Sequence, residues 1–206
     1  MADIDLYLDP VCPFAWVTSH WLLAAADGTE HRVRLRQMSL AVLNEGHDVD
    51  EGHRAMMSRS RRLGRVFAAA GERGGSAAFA ALYQAIGTRL HEQGRAVDID
   101  SVGAALTDAG LDPALSQRLD DAGTDTEVAR LHHASQDALG GRGGSPIVVV
   151  DGHAFLGPVL TENPGAKSGS GLLSAIVTAA TTPGFAALHR PYQGPPVIRR
   201  TPEADR

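Results

Sequence analysis

Residues 9–16 read DPVCPFAW and hold Cys12, the only cysteine of the chain. A thiolate is a strong nucleophile, and a cysteine followed by proline where an apolar strand gives way to a helix sits where unpaired backbone amides and the helix dipole favour the anion. In such surroundings the spacing predicts a thiol pKa lowered from about 8.5 into the range of roughly 3.5 to 7.5. One cysteine forms no internal disulfide, so Cys12 reads as a reactive thiol, a small buried apolar residue or an intermolecular partner. Ala15 stands where a second thiol would resolve a mixed disulfide, so release from Cys12 falls to an external thiol. Ala15 also leaves Cys12 without intramolecular protection against over-oxidation. Phe14 could stack on a flat substrate ring, whereas Trp16 and Trp21 read as core.

The other chemistry-bearing residues are scattered. His53, His91, His132 and His133 fall in a helical block, each either a proton carrier or a packed residue. The chain's nine histidines show no metal-ligand spacing, and adjacent His132 and His133 point about 100° apart on a helix, so no metal is expected. The basic run RSRRLGR, residues 59–65, puts Arg61, Arg62 and Arg65 on neighbouring helix faces. They would attract an acidic thiol or form a solvated face. GGRGG at 140–144 precedes a strand and lacks the Lys-Ser/Thr ending of a phosphate loop, so it reads as a flexible loop.

Elements that would position Cys12 follow from periodicity. DIDLYLD alternates Ile4, Leu6 and Leu8 against Asp3, Asp5 and Tyr7, the pattern of a strand. Pro13 suits the first helical turn, and that helix stops near Asp27-Gly28. HRVRLRQ alternates Val33, Leu35 and Gln37 against three arginines, as on a charged sheet edge. Helices are expected at roughly 52–71, along the stripe from Phe79 to Leu90, and at 98–109, 113–121 and 125–138. PIVVV and HAFLG form a hairpin through Asp151-Gly152, and one or two helices cover 170–190. This order gives an α/β chain with a parallel first strand pair, an antiparallel hairpin and a right-handed crossover: a thioredoxin-like fold with an inserted all-helical domain. The divisions are 1–48 and 140–192 for the thioredoxin-like part, 49–139 for the insertion, and a loosely held tail at 193–206.

With 206 residues, 43% of them hydrophobic, the chain can bury a core of its own, and a net charge of -5 favours neither nucleic acid nor an anionic membrane. No apolar run of membrane-spanning length occurs, and acidic residues occupy the N-terminus, so a cytoplasmic location is expected.

The stretches DPVCPFAWVTSHWL, MSLAVLNE, GTRLHEQG, LHHAS and GSPIVVVDGHAFLGPVL, with the final helices, resemble the DsbA-like thioredoxin-fold family. They are most similar to its actinobacterial branch of mycothiol-dependent nitroreductases and oxidoreductases. Typical members read Cys-Pro-Trp-Cys and Thr-Pro where this chain has Cys12-Pro13-Phe14-Ala15 and Ser145-Pro146. The resemblance implies a catalytic Cys12 and a substrate-binding set of Pro13, Phe14, Asn44, Ser145 and Pro146, with Pro146 in cis beside the cysteine and Asn44 near the sulfur. It further implies a cytoplasmic monothiol oxidoreductase with no tightly bound cofactor. Mycothiol or a similar low-molecular-weight thiol would be co-substrate, and oxidised disulfides or electrophilic nitro compounds would be substrates. Neither nucleic acid nor a membrane is an expected partner, and a homodimer is compatible with the sequence. Two alternatives stay open: a kappa-type thiol transferase that activates a bound thiol, and a non-catalytic thioredoxin-fold binding protein that has lost its dithiol.

Overall fold

Four strands carry the site. In the computed structural model, which describes residues 1–48 and 50–198, they are β1 (Asp3–Leu8), β2 (Arg32–Gln37), β3 (Ile147–Val150) and β4 (His153–Leu156). Their order is β2-β1-β3-β4, with β2 parallel to β1 and both hairpin strands antiparallel to their neighbours. The alternation in β1 is realised: Ile4, Leu6 and Leu8 are fully buried, and Leu6 lies opposite Leu35 on one side and Val148 on the other. The arginines of edge strand β2 are partly matched by β1, since Arg34 and Arg36 both reach Asp5, at 2.7 and 3.4 Å.

Helix α1 (Pro13–Ala26) joins β1 to β2, and a helical block follows: α2 (Leu40–Leu43), α3 (Glu51–Gly87), α4 (Ile99–Asp108) and α5 (Asp125–Leu139), then the hairpin and α6 (Gly165–Thr181). The two helices expected between 52 and 90 form one long run broken at Gly75, whose φ of 63° and ψ of -154° only glycine adopts without strain. Its end passes into a π-helical turn at Thr88–Glu92. The expected helix at 113–121 is a tight 3-10 segment, Pro113–Asp120, held by the Asp112 side chain at its start. It serves as a connector between α4 and α5, a common use of 3-10 geometry.

The last helix departs from expectation at both ends. It begins earlier, at Gly165, because tertiary contact overrides the poor helix propensity of GAKSGSG: Gly169 lies against Trp21, whose indole N–H donates to the Gly169 carbonyl at 3.0 Å. It ends at Thr181, before Pro183 and Gly184, which disfavour continuation, so 182–190 is not helical. The tail is not loosely held over 193–198, where Pro196 is buried and the Val197 amide donates to the Thr161 carbonyl at 2.7 Å. Residues 199–206 of that expected tail lie outside the described residues.

One apolar cluster runs through both parts of the chain, from Ile4, Leu6 and Trp16 to Phe67, Tyr83 and Leu106. Two arginines of the basic run at residues 59–65, Arg62 and Arg65, hold the helical block together. Arg62 pairs with Asp120 and donates to the Val97 carbonyl, and Arg65 pairs with Asp125 at 2.6 Å and donates to the Leu119 carbonyl. Among the described residues no helix is long and apolar enough to cross a membrane.

Candidate active site

Strand β1 ends at Leu8, and the turn Asp9–Cys12 delivers the cysteine to the first turn of α1. The Cys12 amide donates to the Asp9 carbonyl at 3.0 Å, and the Cys12 carbonyl accepts the first helical bond from Trp16. Cys12 is thus the N-cap residue, extended at φ -78° and ψ 113°, with Pro13 at the first helical position where a missing N–H costs nothing. The amides of Phe14 and Ala15 face the sulfur and favour its anion, yet the neutral thiol, a weak acceptor, closes no cap bond with them.

Ser145 meets this turn from the other side. The Cys12 thiol donates to its carbonyl at 3.3 Å, and its hydroxyl accepts the Asp9 amide at 3.0 Å. The Ser145–Pro146 bond is cis, and the Pro146 carbonyl accepts the Gly157 amide at 2.8 Å. Cys12, Pro13, Phe14, Ser145 and Pro146 therefore lie together. Asn44 does not join them: its side-chain amide turns back to the Leu40 carbonyl at 2.8 Å and the Met57 sulfur at 3.6 Å, closing the end of α2.

The expected lowering of the thiol pKa is reversed in sign. Cys12 is 5% exposed, and burial pushes its thiol up. The Ala15 and Phe14 amides and the Ser145 side chain pull it down, while the nearby Asp9 carboxylate adds to the rise. Helix-terminus stabilisation is present, but desolvation outweighs it in this closed arrangement.

Three buried neighbours were not singled out by sequence. Asp9 is fully buried; its carboxylate accepts the amides of Val11 at 2.9 Å and Leu40 at 2.6 Å, and the Ser60 hydroxyl at 2.5 Å. It ties the cysteine turn to α2 and α3, and burial holds its carboxyl above the ordinary range despite those donors. Tyr83 is the second: its buried hydroxyl lies beside Ser19, its ring lies 5.5 Å from Trp16, and burial raises its pKa. Gly87 is the third, because a Cβ there would fall 2.0 Å from the Trp16 ring.

Of the four histidines, His91 comes to the cysteine turn. Its Nε2 lies 2.9 Å from the Pro10 carbonyl, which can only accept, so Nε2 carries the proton, and the ring stacks on Trp16 at 5.4 Å. Burial pushes its pKa down to about 4, which keeps the ring neutral at physiological pH. His132 is buried and accepts the Ser39 amide at 3.4 Å, while His53 pairs with Asp50 at the exposed start of α3.

Several similarities bear on this arrangement. The uncharacterized protein Rv2286c of Mycobacterium tuberculosis is 31% identical over 193 residues, spanning 93% of this chain and 83% of that protein. The probable DsbA oxidoreductase SCO1869 from Streptomyces coelicolor superposes with a TM-score of 0.59 at 18% identity, covering 93% of this chain and 94% of that one. The cytosolic disulfide reductase DsbM from Pseudomonas aeruginosa, solved with GSH, gives a TM-score of 0.55 at 16% identity over 85% of this chain and 98% of that one. These two structures share the fold: a DsbA-like thioredoxin fold with a helical insertion. The family model described as Rv2466c-like, mycothiol-dependent nitroreductase Rv2466c, matches residues 11–190, a span that begins at the cysteine turn and closes beyond α6. A thiol at the head of α1, a Ser-Pro pair against it and this match across most of the chain make the protein an oxidoreductase of the Rv2466c-like family of mycothiol-dependent nitroreductases.

Proposed function

We propose that the protein is a cytoplasmic monothiol oxidoreductase in which Cys12 works with a low-molecular-weight thiol, mycothiol, to reduce disulfides or electrophilic nitro compounds. The observation that carries the reading is the pairing of Cys12 with Ala15: a thiol at a helix N-terminus whose third following residue is a buried methyl group. For a disulfide substrate the Cys12 thiolate attacks one sulfur, the S–S bond breaks, and the second sulfur leaves as a thiolate while Cys12 holds a mixed disulfide. Mycothiol thiolate then attacks the substrate-side sulfur, returning Cys12 as thiolate and releasing a mixed disulfide of mycothiol and substrate. Pro13, Phe14, Ser145 and Pro146 surround the incoming sulfur, and the Ser145 backbone pairs strand-like with an extended substrate. Asp9 and His91 are positioning residues that hold the turn through Val11 and Pro10.

The test is incubation of the reduced protein with oxidised mycothiol, followed by intact mass. An increase of one mycothiol per chain, removed by excess thiol and missing in the Cys12→Ser variant, is the expected result; no adduct sinks the covalent mechanism. Burial of the thiol favours one second reading, a kappa-type transferase in which Cys12 stays unmodified and the site activates a bound thiol. That reading predicts thiol transfer to an electrophile with no adduct on Cys12.

A further inference from the structure

The segment after α6 runs back over the molecule. Phe185 meets Phe155 of β4 at a centroid distance of 5.7 Å, and further on the Val197 amide donates to the Thr161 carbonyl, Pro196 is buried and Ile198 packs on the core. Between these anchors Tyr192, 47% exposed, meets the ring of Phe14 edge to face at 5.1 Å and 62°. Thr161 belongs to the loop after β4, and that loop flanks the cysteine site: its Gly157 amide bonds the Pro146 carbonyl, and its Pro158 carbonyl accepts the Thr18 hydroxyl at 2.9 Å. The segment is therefore fastened on both sides of Tyr192, and its second fastening is to the loop that braces Pro146.

Phe14 has its backbone amide toward the Cys12 sulfur and its ring against Tyr192. Two rings meeting at a steep angle leave a wedge in which a third flat ring can stack on one and take the edge of the other. We propose that Tyr192 is a specificity-determining residue: with Phe14 it receives an aromatic ring of the substrate and brings the attached sulfur or electrophilic atom to Cys12. This rests on the monothiol reading above. For an aryl disulfide the Cys12 thiolate attacks one sulfur, the S–S bond breaks, and the arylthiolate leaves with the electron pair, so no further oxidant or reductant is needed.

The experiment compares two uncharged disulfides, dithiodipyridine and bis(2-hydroxyethyl) disulfide, by their second-order rate constants for modifying Cys12 under single-turnover conditions. In Tyr192→Ala the ratio of aryl to aliphatic rate constants is expected to fall about 3- to 10-fold, the size of one aromatic contact. In Tyr192→Phe it is expected to recover. An unchanged ratio, or a proportional fall of both rates, overturns the proposal while leaving the monothiol reading standing. Wild-type protein that reacts with neither disulfide overturns the monothiol reading, and this proposal with it.

Discussion

Helices α2, α3 and α4 each open on a side chain that closes the first turn: Ser39 takes the Val42 amide, Asp50 the His53 amide and Asp98 the Ser101 amide. Helix α1 opens on Cys12, whose thiol closes none. A hydroxyl or carboxylate cap is satisfied at rest and contributes about 1 kcal/mol. At α1 the equivalent interaction waits for the sulfur to ionise, when the Phe14 and Ala15 amides gain a real acceptor. The three capped helices spend their end groups on stability, whereas α1, like α5 and α6, starts without a side-chain cap. Burial opposes that ionisation and favours the protonated thiol at rest.

The sharpest way to break this contrast is to give α1 an ordinary cap. Serine is a good N-cap, so Cys12→Ser should hold or slightly raise the melting temperature while disulfide reduction falls by about 100-fold or more. Retained activity would mean that the thiol is not the nucleophile. Gly87→Ala tests the floor beneath α1, because the added methyl overlaps Trp16. A loss of about 2 to 3 kcal/mol is expected by chemical denaturation, with Cys12 alkylated faster as the turn under His91 loosens. An unchanged midpoint would show that Trp16 can move aside.

The pH dependence of alkylation comes next in size. A raised pKa means a protonated thiol at neutral pH, so the rate should climb about tenfold per pH unit and keep rising past about 8.5, where an ordinary cysteine levels off. Asp9→Asn removes a negative charge that pushes the thiol up, and its curve should shift to lower pH. A wild-type plateau below neutrality would reverse the balance drawn here between burial and the helix end. The smallest effect belongs to a finished cap: Asp98→Ala should cost about 1 kcal/mol, roughly 2 to 4 °C in melting temperature, without moving the Cys12 alkylation rate. A changed rate would tie the two kinds of helix start together.

Local patterns carried much of this in the sequence. The alternation of Ile4, Leu6 and Leu8, the Pro13 start and the Asp151-Gly152 turn each depend on neighbours in the chain, and each appears where the pattern put it. Long-range cover was not legible. The same alternation assigns Asp9 to the outward face with Asp3, Asp5 and Tyr7, yet Asp9 is fully buried because α2 and α3, a stretch of chain 31 to 51 residues away, close over the end of β1. The sign of the Cys12 shift was missed for the same reason, since the helix end is a local feature and desolvation is not. A Pro-rich, charged C-terminus reads as a loose tail until its contact with Thr161 is known. His91 offered only its place beside Leu90 at the end of an apolar stripe, which does not separate a packed ring from one that reaches Pro10.

The apolar cluster that joins the sheet to the helical block has a consequence for how the molecule fails. Trp16 of α1 fills the space left by Gly87 of α3, and Phe67 and Leu106 belong to the same cluster as Leu6. Neither part has a core that closes without the other, so heat or denaturant should remove both in one cooperative transition. A lesion deep in the helical block, far from sulfur, would lower the amount of active enzyme in the cell as surely as one beside Cys12.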